Sequence, residues 1–179
     1  MQTVIVDDVT APVPDVATLP DVTGECSATV TGTPTATDNC SGAITGTTTD
    51  PLTYNTQGTF TITWTYDDGN GNISTQTQTV IVDDVTAPVP DVAMLPDVTG
   101  ECSATVTAPT ATDNCSGAIT GTTTDPLTYY TTQGTFTITW TYDDGNGNTS
   151  TQMQMVIVDD VTAPVPDVLC CLTLLVSAQ

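Results

Sequence analysis

The sequence predicts an all-β protein made of small antiparallel β-sandwiches joined end to end. Of its 179 residues, 43 are Thr, and Thr favours the pleated, half-buried surface of a sheet. Several segments alternate apolar and polar residues with the two-residue period of strands, whereas no segment has the period of a helix. One unit occurs twice, because Thr3–Asp8 recurs as Thr79–Asp84, which sets a repeat of 76 residues.

The boundary between repeats lies in the Pro-rich stretch that follows each Asp-Asp pair. Proline fixes φ and removes a backbone donor, so neither a helix nor a central strand continues through it. We predict that residues 1–8 are the last strand of a preceding unit with its linker, that 9–84 are the first repeat and that 85–160 are the second. Residues 161–179 begin a third repeat and then become an apolar tail.

The tail contains Leu172, Leu174 and Val176 at alternate positions. This alternation is typical of a strand that adds to the edge of another molecule. The alternative is that the tail is only a terminal irregularity. The adjacent Cys170 and Cys171 have no counterpart in the repeat.

The clearest strands in each unit form a hairpin. Residues 58–66 alternate large apolar side chains with Thr, so one face is predicted to be core and the other solvated. A second strand over 74–82 follows Asn70-Gly71, a pair typical of tight hairpin turns because both central residues need positive φ. Shorter strands are predicted at 16–19, 27–31 and 43–48.

The charge of the chain excludes several classes of function. There is no Lys, Arg or His, and 21 acidic residues give a formal net charge of -21. Nucleic-acid binding is excluded, because affinity for phosphates comes mainly from Lys and Arg. Membrane insertion is not expected, since no apolar run reaches the roughly 20 residues that span a bilayer. The chain lacks the His, Lys and Arg side chains that enzymes often use in catalysis, and its acidic residues lie in repeated turns. We therefore predict that the protein is not an enzyme.

Each unit contains two cysteines: Cys26 and Cys40 in the first, Cys102 and Cys115 in the second. A unit of this size is marginally stable without a covalent staple. We predict one disulfide inside each unit, Cys26–Cys40 and Cys102–Cys115, each worth about 3 kcal/mol in the chain-entropy model. Metal or redox chemistry is the weaker alternative, because the repeat has no C-x-x-C motif and the chain no basic residue. Disulfides indicate an extracellular or cell-surface location.

The order of motifs resembles a known family. In the second unit, Asp83-Asp84 and a Pro-rich opening precede Cys102, which is followed by the segments Ala-Pro-Thr-Ala-Thr-Asp-Asn-Cys (108–115) and Gly-Thr-Phe-Thr-Ile-Thr-Trp-Thr-Tyr-Asp-Asp-Gly-Asn-Gly-Asn (134–148). This order resembles HYR (hyalin repeat) and HYR-like modules, which recur in tandem in large secreted and surface-anchored bacterial proteins. The resemblance implies an immunoglobulin-like β-sandwich with an extracellular, adhesive or structural role and no catalysis.

The chain departs from that family at two cysteine positions. Leu19-Pro20 and Leu95-Pro96 stand where a cysteine is expected near the opening of a unit, and a second cysteine is missing after the Gly-Asn turn. Any bridge that uses those positions is therefore absent here.

Acidic side chains cluster in the predicted turns, and 19 of the 21 are Asp. In a sandwich of this topology the hairpin loop, the Asp-Asn turn and the chain entry share one pole, so these carboxylates converge with no cation beside them. Ca²⁺ prefers such oxygen ligands, and we predict a Ca²⁺ site at each linker. The alternative is that Asp and Asn are simply what hairpin turns demand. The candidate ligands are Asp7, Asp8, Asp38, Asp67, Asp68, Asn70, Asp83, Asp84, Asp113, Asp143, Asp144 and Asn146.

The predicted function is a structural or adhesive module that forms a rigid stalk or filament. Its partners are neighbouring repeats or further copies of itself, joined head to tail, with strand exchange as one route. The alternative is a ligand-binding module that uses the outer sheet face. In that case exposed Tyr54, Tyr129 and Tyr130 would bind carbohydrate, or the regular ranks of Thr would bind ice.

Overall fold

The computed structural model describes residues 1–165, with the backbone alone for Thr128–Tyr130. Each of the two units contains eight strands in this range, and residues 1–12 belong to none. The strands of the first unit are β1 (Val13–Pro14), β2 (Val22–Gly24), β3 (Ala28–Thr29), β4 (Thr35–Asp38), β5 (Gly42–Thr45), β6 (Thr53–Tyr54), β7 (Gly58–Asp67) and β8 (Ile73–Val82). Those of the second are β9 (Val89–Pro90), β10 (Val98–Gly100), β11 (Ala104–Thr105), β12 (Thr110–Asp113), β13 (Gly117–Thr120), β14 (Thr128–Tyr130), β15 (Gly134–Asp143) and β16 (Thr149–Val158).

The β7–β8 hairpin is the largest element of the first unit, and its prediction from the alternating pattern is confirmed. The two strands pair from Gly58 opposite Val82 to Asp67 opposite Ile73. The strands extend one residue further toward the turn than predicted, so that residues 68–72 separate them. The Asp68 carboxylate accepts backbone N–H groups from within this loop and organises it. Gly69 and Gly71 supply the positive φ angles, 78° and 105°.

Two three-stranded sheets and a short ribbon build the rest of each unit. In the first unit β4 lies between β1 and β5, and β8 lies between β2 and β7, while β3 pairs with β6. The pairing is antiparallel except between β2 and β8, which run parallel. The second unit repeats this arrangement. The predicted fold class, tandem immunoglobulin-like β-sandwiches, is confirmed.

The strand predicted at residues 16–19 is wrong, because strands lie on either side of this segment and not within it. The segment is held by side chains and not by a backbone ladder. Gln76 Nε2 donates to the Val16 carbonyl at 2.7 Å, and Gln78 Nε2 donates to the Pro20 carbonyl at 3.0 Å.

The core of each unit is built around the inward face of the hairpin. In the first unit Ile62, Trp64, Tyr66, Val80 and Val82 are almost fully buried, and the same positions are buried in the second. The indole Nε1 of Trp64 donates to Gln78 Oε1 at 3.1 Å. A buried indole needs such a partner. The same glutamines therefore satisfy the core aromatics and tie down the incoming chain.

The predicted disulfides inside the units are wrong, because Cys26 bonds Cys115 of the other unit. The parallel pairing of β2 with β8 places Gly24 opposite Val82, where the chain leaves the unit. Cys40 lies at the opposite pole, since its neighbour Ser41 donates to the carbonyl of Asp68 in the hairpin loop. Ten-residue strands separate the poles by roughly 30 Å, and a disulfide requires Cα atoms about 6 Å apart.

Most of the predicted apolar tail, including the strand proposed around Leu172–Val176 and the Cys170-Cys171 pair, lies outside the described residues. Among residues 1–165, no helix is long and apolar enough to cross a membrane.

Candidate functional site

The candidate site is the junction between the two units, and its first half is the turn that follows β2. The sequence Gly24-Glu25-Cys26 makes this turn very tight. A Cβ atom at Gly24 would lie 2.0 Å from the carbonyl oxygen of Ser27. Only glycine fits there, so the turn holds Glu25 and Cys26 at the exit pole of the first unit.

The second half is the turn after β12, which Asp113 organises. Its Oδ1 accepts the backbone N–H groups of Cys115 at 2.8 Å and Ser116 at 2.7 Å. This is the local turn that Asp side chains favour. It places Asn114 and Cys115 at the entry pole of the second unit, where they face the first.

A disulfide and a carboxylate cross the junction. Cys26 and Cys115 are bonded with their Cα atoms 5.0 Å apart. Beside them Glu25 Oε2 accepts the Asn114 side-chain amide at 2.7 Å, and the Thr86 hydroxyl donates to the same carboxylate at 3.0 Å. Glu25 therefore contacts both the linker and the second unit, next to the covalent bond.

The linker itself is fixed to both units. Asp84 donates its backbone N–H to Gln57 Oε1 of the first unit at 2.9 Å. Its carbonyl accepts Asn148 Nδ2 of the second unit at 2.8 Å, and its Oδ2 accepts Asn146 Nδ2 at 3.1 Å. The path from one unit to the next is therefore defined by several hydrogen bonds rather than by a free hinge.

Three buried carboxylates meet at this linker. Asp84, Asp113 and Asp144 are 3%, 4% and 9% exposed, and each contributes an oxygen within 4.8 Å of the other two. Asp113 Oδ2 is buried and makes no hydrogen bond. No cation of the chain can neutralise the group, since the sequence has no Lys, Arg or His.

Asp144 remains an anion over a wide pH range. Partial desolvation raises the pKa of its carboxyl, but hydrogen bonds from the Asn148 side chain and from backbone N–H groups of the loop outweigh it and lower the pKa below the ordinary value. The equivalent Asp68 has its pKa lowered by the same balance, with Asn72 as donor.

The entry pole of the first unit has the same turns without a preceding unit beside them. Asp8 and Asp38 lie with Cys40 in one group whose candidate ligand atoms are within 4.8 Å of one another. Asp38 Oδ2 is buried without a hydrogen-bond partner, as Asp113 Oδ2 is. Desolvation and the charges of Asp8 and Asp38 raise the pKa of the Cys40 thiol.

The predicted ligands therefore separate into two sets. The structure brings together Asp84, Asp113 and Asp144 at the junction, and Asp8 with Asp38 at the other pole. Asn70 and Asn146 approach as amide donors to Asp8 and Asp84. Asp67 and Asp143 instead accept the N–H of a glycine in their own loops. Asp7 and Asp83 are exposed and lie in none of the groups found among the described residues.

Several functional residues were not predicted from sequence. Asn148 and Asn72 fix the linker backbone, and Glu25 and Gln57 fix the exit pole. All of them recur at the repeat spacing, but so does nearly every other residue of the unit. Recurrence therefore could not distinguish them.

The outer face of the hairpin gives little support to the ligand-binding alternative. Thr61, Thr63 and Thr65 pair with Thr79, Thr77 and Thr75 across the strands. In the second unit Met155 and Met153 replace two of these threonines, so the row of threonines on the outer face is interrupted there. Tyr54 stacks on Phe60 with ring centroids 4.4 Å apart and is only partly exposed. Binding of carbohydrate or ice stays a prediction.

Comparison with known proteins confirms the family resemblance. Residues 95–158 match the family model described as an HYR-like domain with 4 cysteines. The matched range contains only Cys102 and Cys115, and these do not bond each other. The match supports a module of the extracellular, adhesion type.

No curated protein matches the chain. Among solved structures, the protocadherin GammaB4 extracellular domain is similar at 15% identity and a TM-score of 0.34, over 83% of this chain. The chain spans only 32% of that protein. The fibronectin(III)-like modules of Clostridium thermocellum CbhA are similar at 12% identity and a TM-score of 0.31, over 87% of this chain and 98% of theirs.

Proposed function

We propose that this protein is an extracellular structural module whose units form a stiff, rod-like spacer in a stalk or filament. The observation that carries the proposal is the Cys26–Cys115 disulfide, which joins the two units across their linker. A bond between units closes a loop that spans both of them, so it stabilises the folded pair and restricts how one unit moves against the other. Neighbouring repeats are the partners, and the role is mechanical, with no catalytic step.

We further propose that Ca²⁺ binds at the junction through Asp84, Asp113 and Asp144. Three carboxylates this close repel one another strongly when buried, and a bound cation removes that repulsion. Their oxygens lie within 4.8 Å of one another, a spacing compatible with Ca²⁺–oxygen distances of about 2.4 Å. Asp113 Oδ2 makes no hydrogen bond, so it can bind a cation without the loss of an existing contact.

The donor set favours a hard cation over a soft one. The group at Asp84, Asp113 and Asp144 contains only oxygens, which suit Ca²⁺ better than Zn²⁺ or Cu⁺. Cys115 lies near Asp84 and Glu25, but its sulfur is engaged in the disulfide. Because Asp84 belongs to the linker and the other two belong to the second unit, a bound ion would resist bending there.

Small-angle X-ray scattering in Ca²⁺ and in EDTA tests the proposal, together with calorimetric titration of Ca²⁺ at physiological salt. We expect Ca²⁺ to narrow the distribution of inter-unit orientations and to raise the melting temperature. The Asp113→Asn variant, which keeps the Oδ1 acceptor of the turn, should lose both effects. An absence of binding heat, with a melting temperature unchanged by EDTA, would refute the Ca²⁺ site. A broad range of orientations in oxidised protein with Ca²⁺ would refute the stiff spacer.

A further inference from the structure

We propose that the chain joins a second copy of itself head to tail through a disulfide between Cys102 of one copy and Cys40 of the next. Both cysteines are exposed and unbonded within the described chain. Cys102 has the position in the second unit that Cys26 has in the first, and Cys40 corresponds likewise to Cys115. The entry pole of the first unit and the exit pole of the second thus correspond to the two halves of the junction that Cys26 and Cys115 form. The inference rests on the proposed function for the role of that junction.

The exit half is already formed at the end of the second unit. The Asp159 N–H donates to the Gly100 carbonyl at 3.0 Å, as Asp83 does to Gly24 at 3.0 Å. The Asp160 N–H donates to Gln133 Oε1 at 2.8 Å, which repeats the contact of Asp84 with Gln57. The exit pole of the second unit therefore has the same hydrogen bonds as the exit pole of the first, which receives a following unit.

The carboxylate that would recognise the partner is also in place. Thr162 Oγ1 donates to Glu101 at 2.7 Å, as Thr86 donates to Glu25 at the internal junction. At that junction Glu25 also accepts the Asn114 amide, which lies beside both bonded sulfurs. Asn39, which precedes Cys40, has the position of Asn114. It would meet Glu101 of the other copy.

The entry half is formed at the start of the first unit. Asp38 Oδ1 accepts the N–H groups of Cys40 and Ser41 at 2.8 Å, which reproduces the turn that presents Cys115. Asn72 Nδ2 donates to the Asp8 carbonyl at 3.0 Å, as Asn148 does to Asp84. The linker site of the entry pole is therefore formed, and the chain's own residues 7–13 occupy it.

Closing the second junction requires one linker to leave, because residues 7–13 and 159–165 have the same sequence, Asp-Asp-Val-Thr-Ala-Pro-Val. Residues 1–12 form no strand, and Val4, Ile5 and Val6 are 81–94% exposed. We expect the first of these linkers to yield, which breaks the bonds of Asn72 and Asn70 to Asp8 and the pairing of Val13 with Thr37. Asp160 of the incoming copy then takes the place of Asp8.

The bond-forming step needs a disulfide oxidant, for which we name a small-molecule disulfide such as oxidised glutathione. The thiolate of Cys102 attacks one sulfur of the oxidant and releases a glutathione thiolate, which takes up a proton. The thiolate of Cys40 from the other copy then attacks the Cys102 sulfur of the mixed disulfide and releases the second glutathione. Two protein thiols are oxidised to one disulfide, and one glutathione disulfide is reduced to two thiols.

The test uses two complementary variants of the full chain in a Cys170→Ser, Cys171→Ser background, which removes the tail thiols. Cys40→Ser keeps only the Cys102 half, and Cys102→Ser keeps only the Cys40 half. Each is incubated alone and in an equal mixture with glutathione disulfide, Ca²⁺ and about 0.15 M salt to screen the charge of the chains. Non-reducing electrophoresis separates the products. Mass spectrometry after Asp-N digestion identifies the linked peptides, since trypsin has no site in a chain without Lys or Arg.

We expect each variant alone to stay monomeric and the mixture to form a one-to-one dimer linked through Cys40 and Cys102. The background protein with both thiols should form a ladder of dimers, trimers and longer chains. Asn39→Ala in the Cys102→Ser partner should slow dimer formation by roughly fivefold, because it removes the contact with Glu101. Symmetric Cys40–Cys40 or Cys102–Cys102 dimers in equal yield, or no mixed dimer, would overturn the inference. Because calorimetry on monomeric chain tests the Ca²⁺ site separately, the two proposals can fail independently.

Discussion

The entry poles of the two units have nearly the same sequence but different surroundings. Asp38 and Asp113 are equally buried and have the same orphan Oδ2, so the turns fold alike with or without a neighbour. The linker aspartates differ: Asp84 is 3% exposed, whereas Asp8 is half-buried. Cys115 is bonded and Cys40 is not. Local sequence thus shapes each half of the site, and the preceding unit completes it.

The largest effect should come from removing the disulfide that distinguishes the two poles. Cys26→Ser with Cys115→Ser should lower the free energy of unfolding by up to about 4.6 kcal/mol in the chain-entropy model, because the bond closes a loop of 89 residues. Guanidinium unfolding measures this change. Cys40→Ser with Cys102→Ser is the matched control and should leave monomer stability unchanged. If the two double variants have equal stability, the bond does not stabilise the junction.

The second prediction compares the equivalent aspartates as Ca²⁺ ligands. Asp113→Asn should weaken Ca²⁺ binding at the junction by at least about tenfold, since even indirect contacts of a metal site contribute that much. Asp38→Asn changes the same turn at the other pole and should leave the junction affinity intact. Calorimetric titration of both variants measures the difference. A loss of affinity from Asp38→Asn as large as that from Asp113→Asn would show that the bound ion is not at the junction.

The third prediction concerns the asparagines that hold the linkers. Asn148 donates to the Asp84 carbonyl and to Asp144 Oδ2, so Asn148→Ala should cost about 1–2 kcal/mol of stability. Asn72→Ala removes the same two bonds at the first unit. Asn72→Ala should lower the stability by less than Asn148→Ala does, because Asn72 holds the linker at Asp8, and the residues before Asp8 lie in no strand. Denaturant unfolding of both variants checks this order, and the reverse order would contradict the role given to the junction.

The fold was largely predictable from sequence, whereas the site was only half predictable. The alternation of apolar and polar residues in 58–66 and 74–82 predicts which side chains are buried, because side chains at successive strand positions face opposite sides of the sheet. The cysteine pairing failed because it depends on the parallel pairing of β2 with β8, and Val22–Gly24 is too short to have a pattern. The convergence of Asp84 with Asp113 and Asp144 was predicted from their common pole. The contact of Glu25 with Asn114 depends on the neighbouring unit and left no local signal.

The smallest difference between the poles should appear in acid. Asp68 and Asp144 have their pKa values lowered below the ordinary value of 3.8 by the same loop donors. A lowered pKa in the folded state contributes stability that is complete above 3.8 and is lost as the pH falls through the folded-state value. Both units should therefore lose stability together as the pH falls below about 5, as denaturant unfolding midpoints would report. Asn72→Ala and Asn148→Ala each remove a donor and should flatten this dependence. A variant whose acid response matched that of the parent chain would show that the loop hydrogen bonds do not set these pKa values.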